Sequence, residues 1–469
     1  TSGNLDENRG GAAVNDALVY AHSNYDNNVH LNSSSAAGTG PGQYRNSALP
    51  TVVGCAVDRV NHTIKWNLDG GDFSSEFTIP STKDLYPFVG SGGGTGSAVG
   101  ILNFGQDDTF AGAVSSNSVT GGGGKFRYAP PAGYMALCSR NLNEPAFSAN
   151  PNRPENADDN FTTHLYTANN QTAQTITGVG MQPDFLWFKQ RSRVDSNALY
   201  NTSMGIDISM RTTTDGEFDD SNSVTGVTAV GADGFTLGTD AQAWVNYGTD
   251  TMVSWLWKAN GGTTTTNDAS VTGVGTIDST YQANTDAGFS IVTYTGTGSA
   301  GTLAHGLGAV PKFIIIKNRE STQNWVVYHA SNTSEPATDN LYLNLTNATD
   351  DEVGMFNDTA PTSTVFSIGT NANVNNNTEG HLAYVFSEVE GFSKFGTYTG
   401  NGNADGTYVH LGFKPALFVA KSTGTEAWIV MDNARPGYNP TGNYLYWNHT
   451  NAEGGAGGEY IDLLSNGVK

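Results

Sequence analysis

The chain has 469 residues, of which only 14% are charged, with 58 glycines and a formal net charge of −22. That charge is repelled by phosphate backbones and anionic membrane surfaces, and no run reaches the roughly 20 apolar residues that span a bilayer, so nucleic acid and membrane insertion are both excluded from the expected roles. Lys, Glu and Leu runs are scarce, which argues against long amphipathic helices and for short strands joined by polar turns, in a length that suits roughly two to four domains.

The chain starts at Thr1 with no signal-like segment, as expected of a fragment or a processed product. Its two cysteines, Cys55 and Cys138, are too few for a disulfide scaffold and are not paired at zinc-ligand spacing. They are expected as buried free thiols, with pairing between them left open. Sequons such as Asn61-His62-Thr63 arise by chance in a chain this rich in Asn and Thr.

In chain order, residues 52–73 (VVGCAVDRVNHTIKWNLDGGDF) predict strand, turn, strand, turn, with Ile64, Trp66 and Leu68 alternating onto one face. DLYPFVG (84–90) and AVGILNFGQDDTF (98–110) predict further strands, and FRYAPPAGYMALCSRNL (126–142) closes the segment. The series GCAVD, IKWNLDG, LYPFVG, ILNFG and PPAGY resembles the second half of a SPRY (B30.2-type) domain, a concanavalin-like sandwich of two antiparallel sheets. The resemblance covers about residues 16–137, and the opening strands of that fold are missing.

Beyond residue 150 the chain repeats itself. Pro183, Pro311 and Pro415 each open a short apolar run ending at Lys189, Lys317 and Lys421, and Tyr166, Tyr294 and Tyr398 precede the three prolines at one constant spacing. GFSIVTYTG (288–296) matches GFSKFGTYTG (391–400), with HLYTANN (164–170) as a weaker copy. WVVYH (325–329) matches WIVMD (428–432), and VNYGTDTMVSWLW (245–257) matches VNNNTEGHLAYVF (374–386). Phe313–Ile316 is continuous apolar sequence, as in a strand buried on both faces, with Pro311 at its start and Lys317 marking where it leaves the core.

A period near 100 residues exceeds that of solenoid repeats, so each unit is expected to be a bead with its own core. The expected fold class is all-β: a SPRY/concanavalin-like β-sandwich in 1–145, then three tandem β-sandwich, jelly-roll-like repeats in 155–262, 287–389 and 390–469. Residues 263–286, around NGGTTTTNDAS, are expected as a linker. The third repeat stops before its closing strand, from which a longer natural chain is expected.

No catalytic, cofactor-binding or metal site is predicted. GTGSAG (296–301) fits a dinucleotide fingerprint in letters only, because TLAHGLGAVP, not a helix, follows. GGGGK (121–125) has Val119 and Phe126 where a phosphate loop needs Gly and Ser or Thr. GEFDDSN (216–222) offers Glu217, Asp219 and Asp220, but Asn222 stands where a second glutamate belongs, so a solvated turn is expected. His305 has Thr177 and Val409 at its repeat positions and is not a shared ligand. Acidic loops NLDGGD (67–72) and GQDDTF (105–110) make calcium the one possible cofactor. Trp244, Tyr247, Tyr444, Tyr446 and Trp447 lie near loops and are candidate glycan-stacking residues, with core packing the expectation for each; Trp325 and Trp428 are expected in the core.

The order of parts, a SPRY-like module ending PPAGYMALCSRNLNEP followed by units with GFS, YTG and PKFIIIK, resembles large structural proteins of bacteriophages, particularly marine ones. The resemblance implies a non-enzymatic virion protein, a tail fibre or other surface appendage engaged in host attachment. Self-association (a homotrimer), contacts with other virion proteins and host-surface glycans follow as expected partners. Location on the phage particle, with assembly in the host cytoplasm, is the expected localisation. The alternatives are a capsid-decorating or assembly protein without a receptor role, and a concanavalin-like carbohydrate-active enzyme.

Overall fold

The computed structural model describes residues 18–20, 28–31, 35–39, 52–58, 60–78, 103–104, 108–110, 119–121, 124–134 and 136, and then 157–469 apart from 214–216, 220–224, 240–243, 404, 436–438, 440 and 455–460. Two compact units divide the chain, Thr1–Asn143 and Glu144–Lys469. Both are β in their described regular structure, apart from short helical turns, and the strand pairs are antiparallel.

The first unit holds a sheet of β1 (Leu18–Tyr20), β2 (Asn28–Leu31) and β3 (Ser35–Thr39), and a second of β4 (Val53–Asp58), β5 (Thr63–Leu68) and β6 (Phe77–Thr78). β7 (Val119–Gly121) and β8 (Gly124–Phe126) form a hairpin. The β4–β5 turn is set by Asp58, whose carboxylate accepts from the backbone N–H of Val60 and Asn61, an arrangement that favours a turn over a continuing strand. Trp66 is buried. Cys55 is a free thiol but is exposed, not buried as expected. It lies opposite Trp66 in the β4–β5 ladder. Cys138, the predicted strand at 84–90 and most of 98–110 lie outside the described residues.

In the second unit, copy one runs through β9 (Phe161–Thr167), β10 (Gln174–Thr177), β11 (Phe185–Gln190), β12 (Ala198–Asn201), β13 (Gly205–Met210), β14 (Glu217–Asp219), β15 (Val227–Gly231), β16 (Gly234–Leu237) and β17 (Thr251–Trp257). Its large sheet has the order β14-β13-β12-β11-β17-β9, and a small sheet the order β10-β16-β15. Gly234, the first residue of β16, has φ +145, and a Cβ there would fall 2.0 Å from the Ile176 carbonyl oxygen, so only glycine lets β16 approach β10.

Copy two begins earlier than its repeat. The segment expected as a linker forms β18 (Thr265–Asn267), helical turn α1 (Ala269–Thr272) and β19 (Ser279–Asn284). Asp268 caps α1 by accepting from the N–H groups of Ser270 and Val271, which gives this Thr- and Asn-rich stretch local order. Then follow β20 (Phe289–Thr295), β21 (Gly301–Ala304), β22 (Pro311–Asn318), β23 (Val326–His329), β24 (Asp339–Tyr342), β25 (Asp350–Asp351), α2 (Val353–Phe356), β26 (Val365–Ile368), α3 (Ala372–Asn375) and β27 (Gly380–Ser387). The large sheet has the order β18-β19-β20-β27-β22-β23-β24-β25, and β21 pairs β26.

Copy three has β28 (Val409–His410), β29 (Leu417–Ala420), β30 (Ile429–Asp432), β31 (Leu445–Tyr446), β32 (Leu463–Leu464) and β33 (Gly467–Val468). Its sheets are β29-β30-β31 and β28-β33-β32. β11, β22 and β29 are equivalent strands, as are β12, β23 and β30.

Because successive strand residues face opposite sides, the apolar run of β22 divides between two cores. Ile314 and Ile316 pack with Val292, Leu303, Phe356 and Phe366 in a core private to copy two. Phe313 and Ile315 face the other way. In β11, Leu186 and Phe188 likewise join a private core with Ile176, Phe235 and Leu256.

The opposite faces meet in a single cluster: Phe185, Trp187, Leu199, Val253 and Trp255 from copy one, Phe289, Phe313, Ile315, Trp325, Leu382 and Tyr384 from copy two, and Trp428, Val430, Leu445 and Trp447 from copy three. The copies are therefore not beads. The β-branched and aromatic residues on both faces of each strand demand two buried surfaces, and only neighbouring copies supply the second one.

Candidate functional site

The polar chemistry of the interior collects where the copies join. The residue just before β12, β23 and β30 is Asn197, Trp325 and Trp428, and each donates into a neighbouring copy. Trp325 Nε1 donates to the Arg211 carbonyl of copy one (3.2 Å), and Trp428 Nε1 to the Tyr342 carbonyl of copy two (2.9 Å). Asn197 Nδ2 donates to the Tyr446 (3.2 Å) and Trp447 (3.1 Å) carbonyls of copy three. Strand register makes Arg211, Tyr342 and Tyr446 equivalent, since Met210 lies opposite Leu199, Tyr342 opposite Val326 and Tyr446 opposite Ile429. The same bond thus runs from copy two to one, three to two and one to three, and the three copies close a ring.

The last residues of β12 and β30 make a second set. Asn201 Nδ2 donates to the Tyr384 hydroxyl of copy two (3.1 Å), and Asp432 Oδ2 accepts from Trp255 Nε1 of copy one (3.0 Å). Tyr384 and Trp255 are equivalent, facing Ile315 and Trp187 in their ladders. The third member, His329, has Phe395 of copy three at its ring, edge-on at 6.5 Å.

Charges reinforce the joint of copies one and three. Arg191 grips Glu453 with Nε (2.8 Å) and Nη2 (3.1 Å). Arg435 spans Glu453 (3.2 Å) and the fully buried Asp432 (2.7 Å). Burial alone would raise the Glu453 carboxyl; the Arg191 hydrogen bond and the nearby Arg435 charge outweigh it and hold it below the usual range. Asp432 also accepts from the N–H groups of Ala434 and Arg435, so this buried pair has its remaining lone pairs occupied.

The repeat lysines do not mark the exit from the core, as their sequence position suggested. Lys189 and Lys317 are fully buried. Lys189 Nζ donates to the carbonyls of Asp195 (2.6 Å) and, across the joint, Thr450 (3.0 Å), and burial pulls its pKa down to about 8. Lys421 binds the Ser422 and Gly424 carbonyls, each at 2.6 Å. Each lysine saturates carbonyls where its strand turns away from the sheet, which satisfies backbone groups that burial would otherwise strand.

The repeat tyrosines have an equally structural role. Tyr166 OH donates to the Val245 carbonyl (2.7 Å) and Tyr294 OH to the equivalent Val374 carbonyl (2.6 Å). Beside them Asn246 Nδ2 binds the Thr172 and Gly238 carbonyls, and Asn375 Nδ2 the Ser299 and Gly369 carbonyls. The sequence match of VNYG with VNNN contains both asparagines, but no local spacing shows which carbonyls they bind.

Of the candidate glycan-stacking residues, Trp447 lies in the shared core and Trp244 in the private core of copy one, beneath the Arg211 guanidinium. Trp325 and Trp428 are core residues as well. Tyr444 and Tyr446 are half-buried and pack edge to face. Tyr247 is exposed, with Arg193 over its ring at 4.3 Å. Glu217 and Asp219 lie in β14, and Asp220 falls outside the described residues. His305 is buried, accepts from Leu307 N–H at Nδ1 and faces the Thr362 carbonyl through Nε2; desolvation lowers its pKa to about 4. GTGSAG is the connection from β20 to β21. Among the described residues, no group of three or more His, Cys, Asp or Glu is placed to hold a metal. No helix among them is long and apolar enough to cross a membrane.

A family model, the domain of unknown function DUF7483, matches residues 156–469, which are the three copies. The chain belongs to the DUF7483 family. In structural terms, the DUF7483 region of this chain is one body in which three related β units share a core. No curated protein and no solved structure matches the chain.

Proposed function

We propose that this chain is a non-enzymatic structural protein of a phage virion, a tail fibre or other surface appendage that takes part in host attachment. The observation that carries this reading is the closed ring of equivalent hydrogen bonds donated by Asn197, Trp325 and Trp428. Further polar bonds join the first and third copies: Lys189 reaches the Thr450 carbonyl, and Arg191 pairs with Glu453, which Arg435 also holds. Such a module suits a particle surface, where a rigid platform presents loops and weak glycan contacts gain strength through multivalency. The resemblance of the SPRY-like and repeat sequences to phage structural proteins supports the same assignment. A homotrimer of the whole chain and contacts with other virion proteins belong to this proposal.

The test is antibody labelling of the chain on native particles, viewed by electron microscopy. Label at a distal tail position is the expected result. Label over the head or along a shaft would replace host attachment by a decorating or assembly role, and particles free of label would overturn the virion reading.

A further inference from the structure

We propose that copy two carries an acid-released lid: His305 and His381 latch the small sheet of β21 and β26 over that copy's private core, and protonation of the two imidazoles lets it lift. β21 and β26 form a two-stranded sheet of their own. Its Leu303, Phe366 and Ile368 pack with Val292, Ile314 and Ile316 of the large sheet. The shared core lies on the opposite face of that large sheet, so the ring of three copies survives the opening.

The latches sit at the two ends of β26. Before the strand, His305 Nδ1 accepts from the Leu307 N–H (3.2 Å) and its Nε2 meets the Thr362 carbonyl (3.2 Å). After the strand, His381 Nε2 accepts from the Asn376 N–H (3.3 Å) and its Nδ1 meets the Glu379 carbonyl (2.9 Å). The His381 ring also stacks on Tyr294 at 5.1 Å, and the Tyr294 hydroxyl holds the Val374 carbonyl of α3. Each imidazole thus spends one nitrogen as acceptor for a backbone N–H, which only the neutral ring can do. A second proton would set N–H against N–H in a buried site, so each latch holds when neutral and lets go when charged.

The surroundings leave these two rings as the proton sensors. Residues 301–310 and 362–376 contain no titratable side chain other than His305. Burial holds His305 neutral against the Thr362 carbonyl, and Tyr281 packs on the neighbouring Gly306. Burial also pulls the His381 pKa down, helped by the Lys317 ammonium, against the Glu379 and Ala372 carbonyls and the Glu379 carboxylate. Glu320 and Arg319 border this site at Gly380.

The device is confined to copy two. At the His305 position the other copies have Thr177 and Val409. Lys189 faces Val253 as Lys317 faces Leu382, which places Met252 of copy one at the His381 position. Desolvation lowers the pKa of His164 in copy one, but that ring is only half-buried and the Asp233 carboxylate supports its charged form. His329 accepts from the Ser331 N–H (3.1 Å), but it ends β23 in the large sheet, away from the lid.

Below the ordinary histidine value the open form binds protons that the closed form excludes, so acid drives opening. With His305 at about 4 when closed and an ordinary 6.5 when open, a fall from about pH 7.5 to about 4.5 should raise the open population roughly fiftyfold through this ring alone. The experiment is amide hydrogen exchange on the intact 469-residue protein at these two pH values, corrected for the intrinsic pH dependence of exchange. The expected result is a reversible loss of protection, about thirtyfold or more, at residues 301–310 and 362–376, while 174–177, 234–237 and 313–316 keep theirs. His305→Thr with His381→Met installs the residues of copy one and should reduce the loss to within about fivefold. His305→Asn keeps an acceptor for the Leu307 N–H without a titrating ring, and should lessen the loss about tenfold or more even where the double variant fails to fold. Protection that is lost equally across the three copies, lost first outside the lid, or kept throughout overturns the proposal. So does a loss of the same size in the His305→Asn protein.

Discussion

Trp187 of the first copy and Trp447 of the third stack in the shared core with ring centroids 4.1 Å apart and planes at 22°. The first and last copies are therefore direct neighbours, and the ring is closed by packing as well as by hydrogen bonds. Truncating Trp187 to alanine leaves a cavity at this closure that the surrounding sheets cannot fill. The expected cost is about 3–5 kcal/mol, read as a fall in the urea midpoint at unchanged slope.

A single copy expressed alone would expose the face that Phe289, Phe313, Ile315 and Tyr384 turn to the shared core. Residues 263–389 in isolation are expected to aggregate or bind a hydrophobic dye strongly, whereas 156–469 stays soluble. In the intact protein the three copies should unfold in one calorimetric transition. Three separate transitions would restore the bead description.

Tyr384→Phe removes the hydroxyl that accepts from Asn201 and leaves a buried amide donor without its partner. A loss of about 1–2 kcal/mol is expected, and Asn201→Ala with Tyr384→Phe should be non-additive in a double-mutant cycle. The same change at exposed Tyr247 should stay within about 0.5 kcal/mol.

His305 is held neutral by burial, with its pKa lowered to about 4 from an ordinary 6.5. Between those values the unfolded chain binds the proton and the folded chain does not, so stability rises with pH across this window. It is fully present above about 6.5 and lost as the pH falls towards 4. The term amounts to about 3 kcal/mol. His305→Gln should flatten part of the acid limb in pH-dependent denaturation, the rest arising from His164, His329 and His381, whose pKa values desolvation also lowers.

Glu453→Gln breaks the bidentate contact with Arg191 and the bond to Arg435. It leaves Arg191 without its carboxylate partner, while Arg435 keeps Asp432, and roughly 2 kcal/mol of stability should be lost. Because the folded-state pKa of this carboxyl is depressed, its contribution is complete above the ordinary glutamate range and disappears as the pH falls through the lowered value. The substitution should therefore shrink the difference between neutral and acidic stability.

The all-β architecture and the three copies were legible in the sequence, because strand alternation and a recurring proline, tyrosine and lysine survive as local patterns. Phe313–Ile316 even announced burial on both faces. What covered the second face was not legible: contact between Trp187 and Trp447, or between Asn201 and Tyr384, depends on how copies pack, and no local spacing encodes it. The lysines were misjudged for a related reason. A charged residue ending an apolar run usually meets water, whereas Lys189 meets the carbonyls of Asp195 and Thr450, the latter brought in by copy three. The stretch around residue 265 looked like a linker because polar Thr and Asn also serve an edge strand, and β18 lies at the edge of its sheet. Among the aromatic candidates, loop proximity did not predict exposure, since the residues after β31 fold back into the joint.

A homotrimer repeats every substitution at all three of its joints, so no joint can change alone. Here one gene writes each joint separately: the position before the β12-type strand is asparagine in the first copy and tryptophan in the other two, and the position that ends it is asparagine, histidine or aspartate. Selection can thus adjust one face of the ring for a partner, or loosen one contact for assembly, while leaving the other two untouched. Three-part geometry is retained without the obligation of identical parts.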